Sequence, residues 1–126
     1  MKTTRLLLFN GFRFKEIEVR ESLDDYYENL ECSTFDITHG EINGKVYDIF
    51  CDDEGLFKED PETTAVFVNK KGVPNGVLVG NLIFANHDSA GNTTSLSDED
   101  IESIKRSVSL LLDGEDKMSA VVVLKR

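Results

Sequence analysis

The dipeptide Asn43-Gly44 restricts the fold of this chain more than any other feature of its sequence. Both residues accept the positive φ of a type I′ turn, whose twist matches that of two antiparallel strands, so the pair marks a two-residue hairpin loop. The flanks, residues 34–51, are rich in Ile, Thr, Tyr and Phe, side chains that suit a half-buried pleated surface. A loop of that length also sets a register. It places Ile42 opposite Lys45, His39 opposite Asp48, Thr38 opposite Ile49, Ile37 opposite Phe50 and Asp36 opposite Cys51.

The rest of the chain reads as further strands and two helices. Thr4–Phe9 is a continuous apolar run, expected as a buried strand. Asn10-Gly11 turns it toward Phe12–Val19, where Phe12, Phe14, Ile17 and Val19 break strict alternation and predict a bulge or a register change. Ser22 before Leu23-Asp24-Asp25 is a helix start: a hydroxyl to cap the first turn and two acids to face the helix dipole. Leu23, Tyr26, Tyr27 and Leu30 then share one face. Thr64–Val68 is expected as a short strand, Asn69-Lys70-Lys71-Gly72 as a loop, and Val77–Asn86 as one strand with Gly80 inside it as a bulge or a tight contact. The stretch from His87 to Thr94 reads as a polar turn.

A second helix begins at the cap Ser97, with Asp98, Glu99 and Asp100 in its first turn and Leu96 spaced to pack on Ile101. Ile101, Ile104, Val108 and Leu111 continue an apolar stripe to a stop at Gly114. Ser119–Leu124 is a last, strongly apolar strand. The expectation is an α+β fold: one small domain over residues 1–126, mostly antiparallel sheet with hairpins and two helices packed on it.

Charge separates function classes. Residues 1–15 carry four bases and no acid, residues 16–62 carry sixteen acids against three bases, and residues 63–126 are nearly balanced. A field of that sign disfavours direct contact with nucleic acid or anionic membrane and favours a protein partner with a basic surface. No apolar run reaches the length of a membrane span, and Leu6–Phe9 is too short for a signal peptide, so the chain is expected in the cytoplasm. Cys32 and Cys51 fit that compartment as buried thiols.

Each candidate for chemistry meets an obstacle. His39 facing Asp48 resembles a base with its carboxylate, but no nucleophile is spaced to serve it, and cross-strand pairs of this kind commonly stabilise sheets. His87 reads as a solvated loop residue. Cys51 opposite Asp36, and Cys32 beside Glu31, have carboxylates that disfavour a thiolate. The acids Asp48, Asp52, Asp53 and Glu54, with Asn81, make the best candidate binding site, yet they lack the spacing of a calcium loop, and two His with two Cys form no zinc pattern. The acids that open the second helix would repel a phosphate there. No catalytic residue, metal or cofactor is expected.

The segments Tyr47–Lys58, Leu78–Phe84 and Thr94–Ile101 resemble the domain of unknown function numbered 3846, a family of small proteins of bacteria, their phages and conjugative elements. The family pattern places a Leu-Pro-Asn stretch where Glu59-Asp60-Pro61-Glu62 stands here. The resemblance implies a setting, an accessory protein of a mobile element, and no catalytic residue. Residues and resemblance together lead to the expectation of a non-enzymatic protein acting through an acidic surface. The alternatives are a small-ligand or divalent-metal-binding module and a DNA mimic that inhibits a host defence enzyme.

Overall fold

Hairpins laid side by side make up most of the chain, and the two helices cover opposite faces of the sheet they form. The computed structural model describes residues 3–11, 13–20, 22–32, 34–52, 63–112 and 118–125. The first hairpin joins β1 (Thr4–Phe9) to β2 (Phe14–Val19), with Phe9 opposite Phe14 and Thr4 opposite Val19. Its register runs without the expected bulge. Burial on both faces is the reason: Leu6 and Ile17 belong to one apolar cluster, Leu7, Phe9 and Phe14 to the other. Strands covered on both sides need no strict alternation.

Helix α1 (Leu23–Leu30) starts at Ser22, whose hydroxyl accepts from the Asp24 amide, and ends at Glu31 in the left-handed region. Tyr26 and Leu30 are buried, whereas Leu23 is 60% exposed. On so short a helix the buried stripe narrows to these two residues, with Tyr27 at its flank against the Phe35 ring. The hairpin of β3 (Phe35–Ile42) and β4 (Lys45–Asp52) has the register read from its turn, pair by pair, with Asn43 and Gly44 both at positive φ.

Next come β5 (Thr63–Val68), β6 (Pro74–Val79) and β7 (Leu82–His87). The single strand expected over Val77–Asn86 is two. Gly80, at φ 76°, breaks the run. β6 pairs with β5 at one end of the sheet, while β7 pairs with β1 and β4. A positive φ of that size is open to glycine at no steric cost, so the chain can leave one strand and enter another within two residues.

After β8 (Thr93–Thr94), helix α2 (Asp98–Arg106) is closed at its start by a reciprocal capping box between Ser97 and Asp100. The helix stops at Ser107, well before Gly114, which lies outside the described residues. Val108 and Leu111 therefore do not extend its stripe; they belong to strand β9 (Val108–Leu112), antiparallel to β10 (Met118–Lys125). Pairing with the apolar β10 outweighs the helical spacing of these residues, a case of tertiary contact overriding local preference.

The strand order is β2-β1-β7-β4-β3-β10-β5-β6, with β8 on β7 and β9 on β10. The sheet is mixed rather than wholly antiparallel, because β10 and β5 run parallel. On one face Ile101 and Ile104 of α2, with Leu96, pack on Leu7, Phe84, Ile49 and Leu124. On the other, Tyr26 and Leu30 of α1 pack on Leu6, Val19, Phe50 and Ile83. No described helix is long and apolar enough to cross a membrane.

Gly40 lets β3 and β10 close. A β-carbon there would stand 3.0 Å from Leu124 Cδ2 and 3.1 Å from Ile49 Cδ1, and both of those side chains are fully buried. Gly40→Ala is therefore expected to destabilise the fold by about 1–3 kcal/mol through overpacking. Urea unfolding of the variant checks this; a midpoint equal to that of the parent would contradict it.

Candidate functional site

β10 forks the sheet. Its residues Val122–Lys125 lie beside β5, and its other edge is shared: β9 takes Met118–Val122, and β3 reaches it only at the pair Glu41–Lys125. Beside the Glu41–Lys125 pair lies a hollow of about 450 Å³. Its described lining is His39, Gly40, Glu41, Val46, Lys70 and Lys125. Three elements supply these residues. The β3–β4 hairpin places His39, Glu41 and Val46 on one face, because residues directly opposite in an antiparallel pair point the same way. Lys125 comes from the end of β10 beside Glu41. Lys70 stands on the β5–β6 turn, held by Asn69: its side-chain oxygen accepts from the Lys71 and Val73 amides at 2.9 and 3.0 Å, and its carbonyl accepts from Gly72.

The face that bears His39 and Val46 is the one α1 covers at its other end. α1 reaches Phe50 and Ile83 but leaves Ile37 and Val46 46% exposed. Lys70 and Lys125 make no ion pair among the described residues, whereas Arg5, Arg20, Lys45 and Arg106 are each held by a carboxylate.

Behind His39 lies Asp48, buried to 7% exposure. Its Oδ1 is 3.1 Å from His39 Nε2 and 3.1 Å from His87 Nδ1. Neither approach has hydrogen-bond alignment, so the contact is electrostatic. His87, expected as a solvated loop residue, instead ends β7 and faces the same carboxylate as His39. The two rings meet edge to face with centroids 6.4 Å apart. Among the described residues no group of three or more His, Cys, Asp and Glu is arranged to hold a metal ion. Cys51 lies in the cluster on the α2 side, across β4 from Asp48, and its thiol donates to the Asp36 carbonyl at 3.7 Å. Neither cysteine is in a disulfide.

A second buried carboxylate ties the scaffold together. Asp100 Oδ1 accepts from Lys45 Nζ and the Tyr47 hydroxyl, both at 2.8 Å, and Oδ2 accepts from Asn86 Nδ2 at 2.7 Å and the Ser97 amide at 2.9 Å. Burial alone would raise its pKa; the four donors outweigh burial and hold the carboxyl well below its ordinary range. Tyr47 is pushed the other way, by burial first and then by its bond to that carboxylate. The four partners of Asp100 come from β4, β7 and the helix cap and converge on its two oxygens, so this group is a clamp and not a site. Asp25 plays a similar part at α1: the Arg20 guanidinium, with the Arg20 amide, lowers its pKa to about 2.

Residues 3–109 match the family described as Domain of unknown function (DUF3846). This chain belongs to that family. No curated protein and no solved structure matches it. In this DUF3846 chain the first of the three segments that carry the resemblance begins on β4, its residues 53–58 lying outside the described ones, and the other two fall on the Gly80 break between β6 and β7 and on the entry to α2. Of the hollow's lining, Lys125 lies beyond the matched residues.

Of the acids singled out in the sequence, Asp52 stands beside Asn81, because Cys51 just before it pairs with Leu82. Asp48 and Asp52 share a face of β4 but are separated by Phe50, roughly 13 Å along the strand. Asn81 donates to the Asn29 carbonyl and to Glu31, steadying the end of α1. Asp53 and Glu54 lie outside the described residues. Sequence reasoning found the His39–Asp48 pair through the hairpin register. It missed Lys70 and Lys125, which come together only through the fork at β10.

Proposed function

We propose that this protein is a non-enzymatic binding module that holds its ligand in the hollow between β3 and β10. One observation carries the reading: a cavity of about 450 Å³ on the uncovered end of a sheet face, with Val46 in its wall and, at its rim, two lysines without ion pairs among the described residues. That volume lies in the range of small-molecule sites, and the imidazoles beside it have no nucleophile on their face of β4. The setting belongs to the same proposal: an accessory protein of a phage or other bacterial mobile element, at work in the cytoplasm.

A fragment screen followed by amide chemical shifts tests this. Perturbations should gather at residues 39–46, 70 and 125 and vanish in Val46→Trp, which fills the hollow from a half-exposed position. Fragments that perturb only other regions would sink the reading.

A second reading, contact with a basic protein partner, draws on α1, where exposed Asp24, Glu28 and Glu31 follow one another along one side. The DNA-mimic form of it fits less well. Glu16 and Glu18 stand opposite Leu7 and Arg5 on the α2 side of the sheet, and Glu16 is already paired with Arg5. The described acids are thus divided between two faces, whereas a mimic needs them on one.

A further inference from the structure

We infer that the hollow between β3 and β10 takes a ligand with an anionic head on an apolar body; this rests on reading the hollow as a binding site. The chain has 24 acids and 14 bases, and the hollow departs from that balance. Its described lining holds two lysines and a histidine against one acid, Glu41. Glu41 is the direct cross-strand neighbour of Lys125, so its charge is offset first by that lysine. Lys70 remains to meet an anion, since His39 Nε2 already faces the Asp48 carboxylate at 3.1 Å. The other cations without ion pairs among the described residues, Arg13, Lys15, Lys71 and Lys105, stand at exposed positions outside this lining.

The wall supplies the other half of the recognition. Val46 is 46% exposed, and Gly40 contributes no side chain, so the space beside the lysines is bounded by apolar atoms and bare backbone. A fully polar anion would leave that wall in contact with water. An uncharged apolar ligand would leave the Lys70 ammonium at the rim without counter-charge. A molecule that joins an anionic group to a short apolar body satisfies both. Lysine binds carboxylate and phosphate alike as a point charge, so the head is defined by its charge.

Isothermal titration of the full chain at low salt with octanoate, octyl phosphate and octanol tests this. At least one of the two anions should bind about tenfold or more tightly than octanol, and the comparison between them tells which head is preferred. The double variant Lys70→Glu/Lys125→Glu changes only exposed side chains, so its melting temperature should stay near that of the parent. It should weaken anion binding about tenfold or more while leaving octanol unchanged. Anion binding that survives the double reversal overturns the inference. Octanol binding as tightly as the anions, and lost in Val46→Trp, also overturns it but leaves the hollow standing as a binding site. If none of the three binds and fragments perturb other residues, both readings fail.

Discussion

Asp100→Ala is expected to lose about 3–5 kcal/mol of stability at neutral pH, the range for removing one partner from a buried charged network. The substitution leaves the Tyr47 hydroxyl, the Asn86 amide, the Lys45 ammonium and the Ser97 backbone amide without their shared acceptor. Tyr47 is only 1% exposed, so water cannot readily replace what it loses. The cap of α2 opens as well, since Asp100 is half of the capping box. Asp100→Asn keeps one acceptor oxygen and a similar volume, and should lose clearly less. Acid supplies an independent check. The folded pKa of Asp100 is depressed, so its contribution is present above the ordinary value of 3.8 and fades as pH falls below that value. The gap between parent and Asp100→Ala in urea midpoint should therefore be widest near neutrality and shrink below about pH 3.8. A loss under about 1 kcal/mol at neutral pH would mean that the four donors find other acceptors, and would refute the clamp.

What was legible in the sequence, and what was not, follows from which forces are local. The β3–β4 register could be read because Asn43-Gly44 fixes both loop length and twist, and the side-chain period then assigns every pair. The starts of both helices could be read because a capping hydroxyl and first-turn acids act within one turn. The break at Gly80 could not, since the runs Val77–Val79 and Leu82–Ala85 flanking it are both apolar and only their separate partners, β5 for one and β1 with β4 for the other, decide that they part. The conversion of Val108–Leu112 from helix to strand has the same origin, an offer of pairing from β10. The uneven spacing of Phe14 and Ile17 was misleading because it signalled two covered faces and not a bulge. The site follows this division. His39 and Asp48 meet through one local hairpin, whereas His87, Lys70 and Lys125 arrive from three other places in the chain.

The two covered faces lead to the other large expected effect. Ile83 and Phe84 are consecutive residues of β7, and both are fully buried. Consecutive side chains on a strand point to opposite faces, so Phe84 packs in the cluster under α2 and Ile83 in the cluster under α1. Phe84→Ala is expected to destabilise by about 3–5 kcal/mol and Ile83→Ala by about 2–5 kcal/mol, each through lost transfer energy and the cavity left behind. A sheet with one face in water would give a different result: one of the two positions would be a surface site, with an effect within roughly 0.5 kcal/mol. The α1 face is the more demanding test, because an eight-residue helix with two buried hydrophobic side chains provides much of its cover. That cover is reinforced by rings: Tyr26 stacks on Phe50 with centroids 4.5 Å apart, and Phe35 closes on both from the side. Ile83 lies in the same cluster, so emptying its site should loosen the seat of α1 as well as the strand. Urea midpoints that fall for both variants with unchanged slopes would establish two cores on one sheet. A near-neutral Ile83→Ala would show instead that α1 rests loosely on its face and contributes little to holding the domain together.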